Sequence, residues 1–136
     1  MALLLIQGYV GMGMGEKVRS PDFLAQWLPQ LVRDIGMVSV GKPVVEEYKH
    51  WEGSAPSATQ FIEAPAPVPH TTGVQILTQS AITCHTYPDD FFQVVIDSCL
   101  PIPNQVRVKN KIMASLCMRE DLSRYIPEWG WRGASK

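Results

Sequence analysis

Three β-rich runs follow one another almost without a break: Gly73 to Thr78, Ala81 to Tyr87 and Phe91 to Cys99. Valine, isoleucine, threonine and aromatic residues dominate them, and these side chains suit a pleated, half-buried surface. Parallel neighbours need a crossover of roughly a dozen residues or more, so gaps this short commit the three runs to antiparallel pairing. Whatever else the chain does, it must cover at least one face of that sheet.

The flanking sequence predicts the cover. Ala2 to Val10 reads as a further strand, mostly apolar and bounded by glycines, and Gly11 to Gly15 as a flexible connector. Ser20-Pro21-Asp22 is a helix start: a capping residue, a proline at the first turn and an acid near the positive helix end. Phe23, Leu24, Trp27, Leu28, Leu31, Val32 and Ile35 then recur at helical spacing, with Gly36 as the stop. Pro29 conflicts with a straight helix and predicts a kink or split. Met37 to Tyr48 reads as an interrupted strand. Lys49 to Pro69 holds four prolines and reads as a loop, with a short strand at Thr59 to Glu63. Asn104 is the cap of a second helix that buries Val108, Ile112, Met113 and Leu116. The tail from Ser123 has no clear pattern. The expected class is α+β: a two-layer sandwich in which an antiparallel sheet is covered on one face by helices. The whole, residues 1–136, is one domain's worth of chain.

Composition narrows the function classes. Apolar residues make up 46% and charged residues 18%, which marks a folded chain rather than a disordered one, and low charge in a small domain suggests a surface covered by another subunit. With net charge −1 and only Arg107, Lys109 and Lys111 as a tight basic cluster, no nucleic-acid partner is expected. Ala2 to Ile6 is too short to span a bilayer and lacks the flanks of a signal peptide, so no membrane partner and a cytoplasmic setting are expected. Cys84, Cys99 and Cys117 are an odd number without CxxC spacing and read as reduced thiols. Cys84-His85 with Asp89 and Asp90 fits no standard zinc spacing, so no metal is expected. Gly11-x-Gly13-x-Gly15 lacks the spacing and the lysine of a phosphate loop. Taken singly, Ser80 is a turn serine, His85 a hydrogen-bonded strand residue and Cys99 a small hydrophobe. Cys84 and Cys117 read as core.

The run from Thr72 to Cys99, about a fifth of the chain, changes that reading. Thr72-Gly73, an apolar strand, Gln79-Ser80-Ala81, then His85-Thr86-Tyr87-Pro88-Asp89 and an apolar strand carrying Asp97 and Cys99 resemble the core of the small bacterial and archaeal S-adenosylmethionine decarboxylases. Their pattern is Ser-Gly, an apolar strand, Glu-Ser-His, then Ile-His-Thr-Trp-Pro-Glu. Decarboxylating an amino acid leaves a carbanion, which an electron sink joined to the α-carbon through an imine stabilises. In that family the sink is a protein-bound pyruvoyl group, made when the serine attacks the preceding carbonyl and the resulting ester eliminates.

The resemblance implies self-cleavage between Gln79 and Ser80, giving a β chain of residues 1–79 and an α chain of 80–136 with a covalent pyruvoyl group derived from Ser80. It implies that His85 moves a proton during processing, that Thr72 holds the intermediate oxygen and that Cys99 reprotonates the product carbon. Tyr87 and Asp89 stand where the family lines its nucleoside pocket with tryptophan and glutamate, and Phe61 is the upstream candidate for a second ring. The implied substrate is S-adenosylmethionine, the implied product the aminopropyl donor of spermidine synthesis, and the implied assembly a homodimer or higher homo-oligomer. Two alternatives stand beside it: a pyruvoyl decarboxylase of ornithine or arginine, motivated by the altered nucleoside-side residues, and an uncleaved homologue that binds a nucleoside or a partner, motivated by Gln79 and Ala81. In an unbroken strand Ser80 and His85 point to opposite faces, so a shared site requires a turn or bulge near Ser80.

Overall fold

The computed structural model describes residues 1–48, 70–87 and 90–127. Six strands form one sheet: β1 (Ala2–Tyr9), β2 (Val44–Tyr48), β3 (His70–Leu77), β4 (Ser80–Thr86), β5 (Phe91–Ser98) and β6 (Arg119–Ile126). Their spatial order is β2-β3-β4-β5-β1-β6, and every neighbouring pair is antiparallel. Among the described residues three helices accompany the sheet: α1 (Met14–Val18), α2 (Pro21–Asp34) and α3 (Gln105–Ser115). This is the expected α+β sandwich.

The two-residue period of the strands decides which face the helices cover. Ala2, Leu4 and Ile6 of β1, Ile82 and Cys84 of β4, and Phe92, Val94 and Ile96 of β5 are buried, while the residues between them stay half-buried. Leu24, Trp27, Leu28, Leu31 and Val32 of α2 and Val108 and Ile112 of α3 meet them. Trp27 packs edge-on against Phe92, with ring centres 5.6 Å apart, and its Nε1 donates to Ser115 Oγ at 3.0 Å, which ties α2 to α3. Each fully buried Ile or Phe here contributes roughly 1.5–3 kcal/mol.

Helix ends follow the sequence signals only in part. Pro21 opens α2 and Gly36, at φ 78°, closes it, with Met37 N–H donating to Val32 O at 3.0 Å. Ser20 and Asn104 occupy the cap positions but make no side-chain capping bond. Pro29 does not split the helix, because the carbonyl it leaves without a donor belongs to exposed Ala25 on the solvent side, while the apolar stripe holds the other side to the sheet.

Several expectations are corrected. The Gly11–Gly15 connector contains the start of α1. Of the run from Met37 to Tyr48, only Val44–Tyr48 is a strand, Ser39 making a single bridge to Leu77. Of the tail, residues 123–126 belong to β6, which extends the sheet beyond β1, and residues 128–136 lie outside the described residues. Cys117 is exposed in the α3–β6 turn at φ 48° rather than in the core. The strand expected at Thr59 to Glu63 lies outside the described residues.

Candidate active site

The β3–β4 hairpin sets the first cluster. Leu77 pairs with Ser80, so Thr78 and Gln79 are the whole turn. Gln79 adopts φ 65°, a left-handed conformation that costs a residue with a Cβ about 1 kcal/mol. The peptide that joins Gln79 to Ser80 is therefore held in a strained turn, and its carbonyl oxygen accepts a hydrogen bond from Cys99 N–H at 3.0 Å. Ser80 is half-buried directly opposite Ser98, and Cys99 follows as an exposed free thiol. Asp97 stands opposite Ala81, one residue past that peptide. The Ser80 hydroxyl, the Gln79 carbonyl with its backbone donor and the Cys99 thiol thus lie at one end of the sheet, while Asp97, opposite Ala81, has the parity of the other face from Ser80.

The second cluster lies on the face the helices leave uncovered. Thr72 and His85 are cross-strand partners, with Thr72 Oγ1 and His85 Nδ1 3.1 Å apart. Burial lowers the pKa of His85, so the ring stays neutral to lower pH than a free histidine and keeps one nitrogen able to accept a proton. The same row continues through Gln93, opposite His85, to Gln7, whose Oε1 accepts from Gln93 Nε2 at 3.2 Å. Gln7 Nε2 in turn donates to Asp121 Oδ2 at 3.4 Å.

An aromatic row runs alongside. Tyr87 and Phe91 meet edge-on with centres 5.4 Å apart, Phe91 and Tyr9 at 5.2 Å, and the Arg119 guanidinium sits 5.4 Å from the Tyr9 ring centre. Rings arranged this way offer π-faces to a planar or cationic ligand. Tyr9, Phe91, Gln7 and Gln93 were not singled out by the sequence reading. Their signal was there in the alternation of β1 and β5, but only the register places them beside His85 and Tyr87.

Of the residues expected to act together, Ser80, Gln79 and Cys99 are brought together, as are Thr72 and His85. The two groups are not joined within one chain. Strand β4 runs unbroken from Ser80 to Thr86, so five residue steps, about 16 Å, and opposite parity separate Ser80 from His85. The turn near Ser80 precedes the strand and leaves this parity intact. Phe61 and Asp89 lie outside the described residues. Cys84 is the inert thiol of the three: burial pushes it up to about 12, in the core behind Gly73. A groove of about 550 Å³ on the outer side of α2, lined by Phe23, Trp27, Pro29 and Arg33, is on the helix layer and not at either cluster. Among the described residues no group of three or more His, Cys, Asp or Glu could hold a metal ion, and no helix is long and apolar enough to cross a membrane.

No family model and no curated protein matches the sequence. Among solved structures, the chain is similar to the adenosylmethionine decarboxylase from Aquifex aeolicus VF5, with a TM-score of 0.62 and 16% identity over 96% of this chain and 92% of that one. At that identity the likeness concerns the fold.

Proposed function

We propose that this chain cleaves itself between Gln79 and Ser80 and then decarboxylates S-adenosylmethionine, supplying the aminopropyl donor for spermidine synthesis. The observation that carries the reading is the Gln79 carbonyl: it is strained, immediately precedes a serine, and is already hydrogen-bonded by a backbone N–H on a fold like that of an adenosylmethionine decarboxylase.

Cleavage needs only groups of this chain and water. Ser80 Oγ attacks the Gln79 carbonyl carbon, and the negative charge that develops on the oxygen falls on Cys99 N–H. The C–N bond breaks as the C–O bond forms, giving an ester and a free amine on Ser80. Loss of the Ser80 α-hydrogen expels the Gln79 carboxylate, and water then replaces the nitrogen, releasing ammonia and leaving a ketone. That pyruvoyl ketone supplies the electron sink for decarboxylation. Around Ser80 stand a small partner in Ser98, an exposed turn and the exposed thiol of Cys99, and in this reading that thiol returns a proton to the product carbon. Tyr87, with Phe91 and Tyr9, offers stacking surface to the nucleoside, and Asp89 and Phe61 are proposed for the same pocket from the sequence.

His85 is the proton carrier, with Thr72 fixing its ring through Nδ1. Because Ser80 and His85 of one chain stand at opposite ends and faces of β4, the reading includes a homodimer in which each copy completes the other's site. A cytoplasmic setting suits the reduced thiols.

Intact-mass spectrometry of the purified protein tests the cut, and incubation with carboxyl-labelled S-adenosylmethionine tests the substrate. Two fragments divided at Gln79/Ser80, the α fragment blocked by a ketone, are expected together with released labelled carbon dioxide. Ornithine and arginine serve as the competing substrates. The separation of Ser80 from His85 favours one second reading, an uncleaved homologue that binds a nucleoside through the aromatic row. A single chain that stays whole on long incubation yet binds an adenine nucleoside would establish it instead.

A further inference from the structure

The glycine run after β1 leads into α1, whose C-terminal cap is Arg19, and neither the run nor Arg19 belongs to the two clusters. Arg19 is largely buried, its side chain 15% exposed, although no core position calls for a cation. Its guanidinium donates to Asp90 Oδ1 at 3.2 Å and to the Tyr87 carbonyl at 3.4 Å. Those two acceptors are the described ends of the β4–β5 connection. Asp90 needs holding: it adopts φ 65°, unfavourable for an aspartate, and its carbonyl is fixed from a second side by Val10 N–H at 3.0 Å. The base of the clamp is fixed too, since the Thr71 hydroxyl donates to the Arg19 carbonyl, and Thr71 N–H is bound by Thr86 Oγ1 at 2.7 Å.

Gly15 is what admits the carboxylate. A Cβ built there would lie 1.8 Å from Asp90 Oδ1, so no other residue leaves space for Asp90 to reach Arg19. The glycine run thus serves close packing against a loop, not a phosphate.

We infer that Arg19, with Gly15 and Asp90, is a positioning set for the aromatic row: it fixes Tyr87 and Phe91 in register with Tyr9 on the open face. The functional half of this inference rests on the decarboxylase reading, in which that row takes the nucleoside; the structural half does not. Arg19 touches neither Ser80 nor Cys99, which lie at the other end of β4 and β5, so it acts on ligand affinity and leaves the cut alone.

The experiment compares the full-length chain with Arg19→Met, Arg19→Lys and Asp90→Asn by residue-resolved amide exchange and by steady-state kinetics with S-adenosylmethionine. In Arg19→Met the amides of Tyr87, which donates to Phe91 O, and of Val10, which donates to Asp90 O, are expected to exchange about tenfold faster, with Ile82 and Val94 unchanged. KM is expected to rise about tenfold with kcat within about twofold, and Arg19→Lys to recover part of the loss because it keeps the charge but not the fork. Asp90→Asn keeps the shape and removes the ion pair, and is expected to show a smaller change of the same pattern. Unchanged exchange at Tyr87 and Val10, or equal acceleration throughout the sheet, would overturn the clamp. A fall in kcat at constant KM would overturn its role in affinity. If the unaltered chain releases no carbon dioxide from S-adenosylmethionine, the decarboxylase reading fails, and the exchange pattern still decides whether Arg19 holds the row.

Discussion

His85 concentrates the chemistry that single residues can test. It is half-buried on the open face, held by Thr72 and kept neutral by desolvation. Replacing it with asparagine keeps a polar side chain of similar size and removes proton transfer. Positioned general bases contribute roughly 100-fold or more, so His85→Asn is expected to slow the cut at Gln79/Ser80 by about that factor, read as uncut chain against time by intact mass. The same desolvation has a stability consequence. The folded pKa of His85 is lowered, as is that of buried His70 by burial and then by Arg19. Above the unfolded value near 6.5 both rings are neutral in either state and no penalty arises. As pH falls below it, the unfolded chain binds protons first, and stability is lost progressively toward the lowered folded values. The thermal midpoint is therefore expected to drop between pH 7.5 and 5.5, and His85→Asn to shrink that drop. A midpoint that rises on acidification would contradict the neutral assignment.

At the scale of elements, the parts legible in the sequence are those whose burial pattern is one-sided. The alternation of β1 and β5 and the apolar stripe of α2 report contact with one layer, and both were found where expected. Strand β6 was not legible, because its first four residues, Arg119, Glu120, Asp121 and Leu122, are all exposed and only its hydrogen bonds to β1 make it a strand. A charged edge strand carries little hydrophobic signal. The site was half legible for a related reason. The resemblance carried by the run from Thr72 to Cys99 pointed to Ser80, His85 and Cys99, but Gln7, Tyr9, Gln93 and Phe91 come beside His85 and Tyr87 through register, which no local pattern encodes. Pro29 gives this scale its test. It interrupts the hydrogen-bond ladder inside a helix that packing holds together, and its ring is only half-buried. Pro29→Ala restores that bond and is expected to stabilise the fold by about 1 kcal/mol or more, raising the thermal midpoint by several degrees. A lowered midpoint would mean that the ring packs as core.

For the whole molecule, the decisive feature is that the described helices cover one sheet face, while the other carries Thr72, His85 and the aromatic row. Leu3, Leu5, Val74, Ala81, Thr83 and Val95 share the second face with Thr72 and His85, and Ile76, Val44 and Leu122 on the same face are 55%, 58% and 39% exposed. Exposed apolar area of this kind is what the proposed homodimer would cover. Within one copy Ser80 and His85 cannot meet, since rotating side chains does not reverse the parity of an unbroken strand or close about 16 Å. If two copies pack so that the proton carrier of one serves the peptide of the other, two differently disabled chains should repair each other. Ser80→Ala cannot be cut but keeps His85, and His85→Asn keeps Ser80 but lacks the carrier. Each alone is expected to stay essentially whole. Co-expressed at equal amounts with distinguishable masses, the two chains form mixed dimers as about half of all dimers. In each mixed dimer one site is complete, so about half of the His85→Asn chains, and none of the Ser80→Ala chains, are expected to be cut. Whole chains throughout, despite mixed dimers seen by native mass spectrometry, would show that the two clusters do not cooperate across copies, and His85→Asn chains that are cut when expressed alone would show that His85 plays no part in the cut.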